Sequence, residues 1–308
     1  MSKKRGSYQF TLTIFFRHNF FFNYKKYAKI HLVMLMKILV NPIDIEHIKY
    51  LNKKDIGGYI IGLKNYSIFQ NLKLSIEEIK NIDTDKEIYI SINKPIHNNE
   101  IDDIKNILKE LSKMKINGIL YEDIAIYNIN KNTNLNLNLI LATMHIPTNS
   151  FTCNYWKDKG VKGALLSTEL MYTDFIKIKK DTNMIIMVYL YGYVPIFESK
   201  RELITSYMKH INKDKTDNIY YMYEKERRKY YPIYEEENNT FITEDILNGI
   251  SVLNELEKNN IDYIILNSLM HNKEKFNKIV DEYINRKILK KDVFTGFLYK
   301  ESIFKVKQ

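Results

Sequence analysis

The stretch Glu87–Asp123, EIYISINKPIHNNEIDDIKNILKELSKMKINGILYED, decides the fold. EIYISIN is a short β-branched and aromatic run without polar alternation, the pattern of a strand buried on both faces of a parallel sheet. A helical segment follows, with Ile101, Ile104, Ile107, Leu108 and Leu111 on one stripe and charges between them. GILYED is then a second buried strand. Strand, amphipathic helix and strand in about 35 residues make one βαβ unit, whose two strands run parallel.

The same alternation runs outward in both directions. KILVN precedes IEHIKYLNKKD, YIIGL precedes SIEEIKNI, LNLILATM precedes FTCNYWKDKG, and GALLST precedes TDFIKIKKDT. MIIMVYLYGY opens the C-terminal third, and ILNGISVLNELEKN leads to DYIILNS and KFNKIVDEYINRK. About eight such repeats in roughly 250 residues predict a (β/α)8 TIM-like barrel rather than an open doubly wound sheet. The turn NPIDIE after the first strand is not GxGxxG, which argues against a dinucleotide-binding sheet. Residues from about Asn212 to Thr243 break the rhythm with charges and tyrosines, so an inserted excursion is expected after the seventh strand.

The chain has 308 residues and a net charge of +10, with 45% hydrophobic and 27% charged residues, the balance of a folded protein. The charge is concentrated. Lys3, Lys4, Arg5, Arg17, Lys25, Lys26 and Lys29 carry seven of the ten net charges within residues 1–35, where no acid occurs. The remainder therefore has no strong polyanion footprint. Residues 1–35 read as a basic, aromatic extension, interpreted as an over-extended reading frame ahead of a start at Met36 or Met34. The alternative is a basic membrane-surface anchor. Arg17 and His18 interrupt its apolar run, which is too short for a spanning helix of about 20 residues. No membrane span is expected, and the domain is assigned to residues 36–308. The single cysteine, Cys153, excludes an internal disulfide or an all-cysteine cluster within one chain and fits a cytoplasmic location.

In a barrel, loops at the C-terminal strand ends converge on one mouth. The polar candidates there are Asn93, His97, Asp123, Asn149, Glu169, Ser199, Lys200, Arg201 and His271. His97, Asp123 and Glu169 are the candidates for catalytic proton transfer. Asn93, Asn149, Ser199, Lys200 and Arg201 are the candidates for holding a substrate or anion, with Arg201 able to take a phosphate or carboxylate bidentately. A solvated pair opening a helix explains Lys200-Arg201 equally well. His97, His145 and Glu169 have the right chemistry for a two-histidine, one-carboxylate metal site but lack its tight spacing, and no metal is expected. Cys153 sits between aromatics and reads as a small buried hydrophobe before it reads as a nucleophile. The run KERRKYY (Lys225–Tyr231) mixes cations and rings, as RNA-binding surfaces do, but flanking acids favour a solvated face.

Three stretches carry a resemblance. TNSFTCNYWKDKGVKGALLSTEL (Thr148–Leu170) is similar to a TNWYxxNYWxxxGxxRxVLxREL region of the short peptidase U32 proteins. YGYVPIFESKRELITSYMKH (Tyr191–His210) resembles the segment after their seventh strand. The third stretch runs from YEKERRKYYPIYEEENNTFI (Tyr223–Ile242) through DYIILNSLMH (Asp262–His271), and GFLYKES resembles a GFxYKET tail. INKPIHNNEIDDI and ILYEDIAI match in order and spacing. The resemblance implies a barrel and a role in tRNA hydroxylation, forming 5-hydroxyuridine at the wobble position. It also implies a second, larger U32-family subunit as partner, with tRNA as a further partner. Relatives with four cysteines hold an iron–sulfur cluster. With Cys153 alone, no intrinsic cofactor and no such cluster is expected here. The family's name implies peptidase activity as the alternative, and a non-catalytic barrel scaffold is the third reading.

The chain departs from that pattern where charge is typical. Thr168-Glu169-Leu170 lacks the arginine of REL, and Met144 replaces the acid of the fifth strand. Met187 and Tyr191 replace a Glu and a His of the seventh, and Ile265-Leu266-Asn267 replaces KID in the eighth. The resemblance with these losses implies a supporting subunit rather than the chemical one.

Overall fold

The computed structural model describes residues 36–287 and 293–300, so the extension 1–35 lies outside the described residues. The first half alternates as the sequence predicts: β1 (Lys37–Asn41), α1 (Ile45–Leu51), β2 (Gly58–Leu63), the two-residue β3 (Lys73–Leu74), α2 (Ile76–Lys80), β4 (Glu87–Ile92), α3 (Ile101–Leu111) and β5 (Gly118–Tyr121). Then come α4 (Ile124–Asn132), β6 (Leu139–Leu141), α5 (Ser150–Asp158), β7 (Gly163–Leu165), α6 (Tyr172–Asp181) and β8 (Ile185–Gly192). The insertion contains β9 (Pro195–Ser199), α7 (Leu203–His210), β10 (Ile219–Glu224), β11 (Lys229–Glu236) and β12 (Asn239–Thr243). The chain returns through β13 (Leu247–Asn248), α8 (Leu253–Lys258), β14 (Tyr263–Asn267) and α9 (Lys273–Asn285).

Parallel pairing runs β1-β14-β8-β7-β6-β5-β4-β2, and β1 pairs β2 to close the eight-stranded barrel. Strand parity sorts the apolar side chains into two cores. Leu39, Ile60, Tyr89, Leu120, Ile140, Leu165, Met187, Tyr263 and Ile265 fill the barrel interior. Their neighbours on the opposite face, such as Val40, Ile61, Ile90 and Val188, join the helices in the outer core. Ile104, Leu108 and Leu111 of α3 are fully buried there, each worth about 1.5–3 kcal/mol of transfer from water. At Gly58 a Cβ would lie 2.2 Å from the Glu87 carbonyl oxygen, so the β2–β4 approach requires glycine. At the N-terminal end of the barrel, Tyr89 and Tyr263 share a 3.1 Å hydroxyl hydrogen bond, and Tyr263 donates to Glu87 at 2.9 Å. Glu87 also pairs with Lys37. That end is sealed.

The insertion after the seventh barrel strand starts earlier than its composition suggests, at Pro195 rather than near Asn212. β9 joins β10, β11 and β12 in an antiparallel sheet ordered β10-β11-β12-β9. Gly192, at φ +127°, ends β8 against Asn267, and Pro195 begins β9 at the edge of the new sheet. A buried carboxylate ties α7 to this sheet. Glu235 accepts from the backbone N–H of Ile204 (2.7 Å) and Thr205 (3.2 Å), from the hydroxyls of Thr205 (2.5 Å) and Thr240 (3.2 Å), and from Lys215 (2.9 Å).

Candidate functional site at the barrel mouth

At the C-terminal strand ends the inward-facing positions become polar. Leu120 of β5 points into the barrel, so Glu122, two residues on, points into its mouth. By the same parity β4 delivers Ser91 and Asn93, β6 delivers Ala142 and Met144, β8 delivers Tyr189, and β14 delivers Asn267. Thr168 and the insertion residues Pro195, Glu198 and Phe241 complete the lining. The cavity so enclosed is about 60 Å³, enough for a few waters and well below the roughly 300–1,000 Å³ of ligand pockets.

The mouth is covered from two sides. The loop after β2 brings Ile68 and Phe69 over it, and the inserted sheet brings Phe241. The two phenylalanine rings meet edge to face, with centroids 3.7 Å apart. Phe69 holds φ +69°, a left-handed backbone that costs a non-glycine residue about 1–3 kcal/mol. Asn93 fixes that loop: its side chain accepts from the Ile68 N–H at 2.9 Å and donates to the Ile68 carbonyl at 3.0 Å.

Glu122 is the chemically distinctive group. Among the described residues no hydrogen bond or ion pair reaches its carboxyl. Burial, reinforced by the neighbouring Glu198 and opposed by Lys200, pushes its pKa up to about 8. The side chain of Glu198, on the exposed rim, shifts upward for the same first reason, with Lys200 and His145 pulling it back. Tyr189 has its hydroxyl held well above the ordinary range by burial and by Glu122. A carboxyl that stays protonated at neutral pH inside a small, largely apolar cavity can donate a proton or a hydrogen bond to whatever enters.

The sequence candidates fall into three groups. Asn93 and the Lys200 charge belong to the mouth. Asp123 and Asn149 serve as helix N-caps: Asp123 accepts from Ala125 (2.8 Å) and Ile96 (2.9 Å), and Asn149 accepts from Thr152 (2.8 Å). His97 starts a short 3-10 turn on the surface, where its N–H binds Glu100. Ser199 pairs with Thr240 in the inserted sheet, and Arg201 is exposed with its carbonyl bound by the Thr240 hydroxyl. Glu169 and His145 come within 3.6 Å, both exposed. Among the described residues no group of three or more His, Cys, Asp or Glu is placed to hold a metal ion.

Met187 and Tyr191, at the replaced positions of the seventh strand, are buried. Tyr191 packs against His271, whose ring also stacks on Tyr193 and Phe276. Burial pushes the His271 pKa down to about 4. Cys153 is buried in α5, with its thiol pushed up to about 11 by desolvation. The residues that sequence reading missed are Glu122, Tyr189 and Glu198. Parity from Leu120 points to Glu122, and parity from Met187 points to Tyr189.

The model of peptidase family U32 matches residues 45–295. The chain is 27% identical over 233 residues to tRNA hydroxylation protein P2 of Bacillus subtilis (strain 168), covering 72% of this chain and 75% of that protein. It is 23% identical over 171 residues to tRNA hydroxylation protein P1 of the same organism, covering 54% of this chain and 40% of that one. Among solved structures, a 2,3-dimethylmalate lyase of the PEP mutase/isocitrate lyase superfamily superposes with a TM-score of 0.45 at 8% identity, over 78% of each chain. No described helix is long and apolar enough to cross a membrane. The chain belongs to peptidase family U32.

Proposed function

We propose that this chain takes part in tRNA hydroxylation at the wobble uridine as a supporting subunit beside a second, larger U32-family chain in the cytoplasm. The similarity to protein P2 across about three quarters of both chains carries this reading. The mouth supports the subordinate role. Its cavity of about 60 Å³ is too small for a nucleoside. The strand ends present Met144, Tyr191 and Asn267 at positions where the family resemblance implies charge. The proposal includes no cofactor of the chain's own, because Cys153 is the sole cysteine and its burial withholds it from ligation.

Mass spectrometry of tRNA nucleosides from a strain lacking this chain tests the reading. Loss of 5-hydroxyuridine derivatives is the expected result, and undiminished levels would refute it. The peptidase alternative has less to stand on. A thiol pushed up to about 11 by burial, with no base beside it among the described residues, is not a nucleophile at neutral pH.

One observation favours a chemical part for the mouth itself, namely the protonated Glu122 in its cavity. If the mouth moves protons, Glu122→Gln abolishes hydroxylation in vivo with the protein present at normal level. If it only supports a partner, hydroxylation persists.

A further inference from the structure

The inserted sheet ends in an open strand. β10 pairs only with β11, and no other described strand covers its outer side. Sheets in soluble proteins blunt such edges with proline, lysine or a bulge. The opposite edge, β9, begins with Pro195. β10, IYYMYE, has no proline, lysine or bulge, carries a charge only at its last residue, Glu224, and pairs with β11 without a register break. Three consecutive large residues stand exposed on it: Tyr221 (63%), Met222 (42%) and Tyr223 (49%).

The free hydrogen-bonding groups can be identified residue by residue. Asn218 pairs inward, since its carbonyl accepts from the Glu235 N–H. Antiparallel ladders alternate, so Tyr220 and Met222 also bond inward, while Ile219, Tyr221 and Tyr223 turn their N–H and C=O outward, the Ile219 N–H onto the Asp217 carboxylate at 3.1 Å. Pro232 lies opposite Tyr221 and has no N–H to offer, which fits that assignment.

We propose that β10 is a self-association surface on which a second copy of this chain docks its own β10 antiparallel, joining the two inserted sheets into one. Hydrogen-bond matching fixes the choice of register. Outward residues must face outward residues, and the register that pairs all three places Tyr221 opposite Tyr221 of the second copy at the two-fold axis and Ile219 opposite Tyr223. This register then sets Asp217 of each copy opposite Lys225 of the other, placing opposite charges at both ends of the junction. Among the described residues Lys225 has no ion pair, and Asp217 caps the Asn218 and Ile219 N–H groups while remaining exposed. The pairing is self-complementary in backbone, rings and charge. It depends on neither the tRNA reading nor the mouth.

Sedimentation of the full chain across a wide range of loading concentration tests it, and a monomer–dimer equilibrium is expected. Tyr221→Pro removes only an outward N–H and leaves the β10–β11 ladder intact, so the folded protein is retained and dimerisation weakens at least about tenfold. Lys225→Asp sets acid against acid and weakens the dimer, and adding Asp217→Lys restores it. Under mild oxidation Tyr221→Cys yields a disulfide-linked dimer, because opposed residues of a bonded pair lie about 5.5 Å apart. A chain that stays monomeric throughout overturns the proposal. So does a dimer indifferent to Tyr221→Pro and Lys225→Asp, or a β10 that pairs with a different protein and never with itself.

Discussion

Replacing Glu122 with glutamine should flatten the fall in stability that the native chain shows above neutral pH. The group's pKa is raised from its ordinary 4.5 to about 8, so the folded state holds a proton that the unfolded state has released. Its contribution to stability is therefore complete below pH 4.5 and lost as pH rises through 8. Below pH 6.5 the effect is masked, because His271, lowered from 6.5 to about 4, loses stability as pH falls. His47 shifts in the same direction through burial. Above 6.5 the unfolded-state histidines finish losing their protons, which returns at most about 0.4 kcal/mol each, and the larger Glu122 contribution dominates. At about 1.36 kcal/mol per pH unit, the decline from pH 6.5 to 9 amounts to about 2 kcal/mol. Glu198, nearer the surface, is shifted in the same direction by burial. Urea unfolding at pH 6.5 and pH 9 measures the difference directly. Glu122→Gln has no proton to lose and should hold or slightly gain stability over that interval, as the lowered histidines neutralise in the unfolded state. A variant with the native slope, or one weaker than the native chain at pH 9, would show that the carboxyl is not buried as described.

Three further outcomes follow from the same structure. Glu235→Ala leaves Lys215 and the N-terminal N–H groups of α7 without their buried acceptor and should cost about 3–5 kcal/mol in urea unfolding, whereas Glu235→Gln, which keeps an acceptor oxygen, should cost less. Asp123→Ala removes the α4 cap and its link to Ile96 and should cost about 1–2 kcal/mol, while His97→Ala on the open surface should change stability by less than about 0.5 kcal/mol. Cys153 should react with a disulfide reagent at neutral pH only as fast as the chain unfolds, and rapid labelling of the native protein would contradict its burial.

The barrel was legible because each strand is a dense apolar run and each helix has one apolar stripe, as in EIYISIN and IDDIKNILKEL. Those patterns arise from burial on two faces and on one, and burial leaves a direct compositional trace. The insertion was legible as an interruption, but its start was not. PIFES has the apolar density of a strand that could belong to either sheet. The mouth was harder. GILYED offers adjacent acids, and the position beside the helix start favours Asp123, although Asp123 spends both carboxylate oxygens on backbone N–H groups. Both faces of a barrel strand are apolar, so composition does not say which residue points inward. Parity does so only once Leu120 is known to face the interior. Glu198 is out of reach of such reasoning, because it arrives at the mouth from a different sheet.

The edge-to-face contact between Phe69 and Phe241 makes the inserted sheet the barrel's own competitive ligand. A guest larger than a few waters must first displace two rings, and the measured affinity is then the intrinsic one scaled by the fraction of time the rings are parted. Displacement also frees Phe69 from the support that holds its left-handed backbone, so the β2 loop should relax as the mouth empties of aromatic side chains. Occupancy of the mouth would thus be governed at a distance, by whatever steadies or unsettles the sheet that carries Phe241.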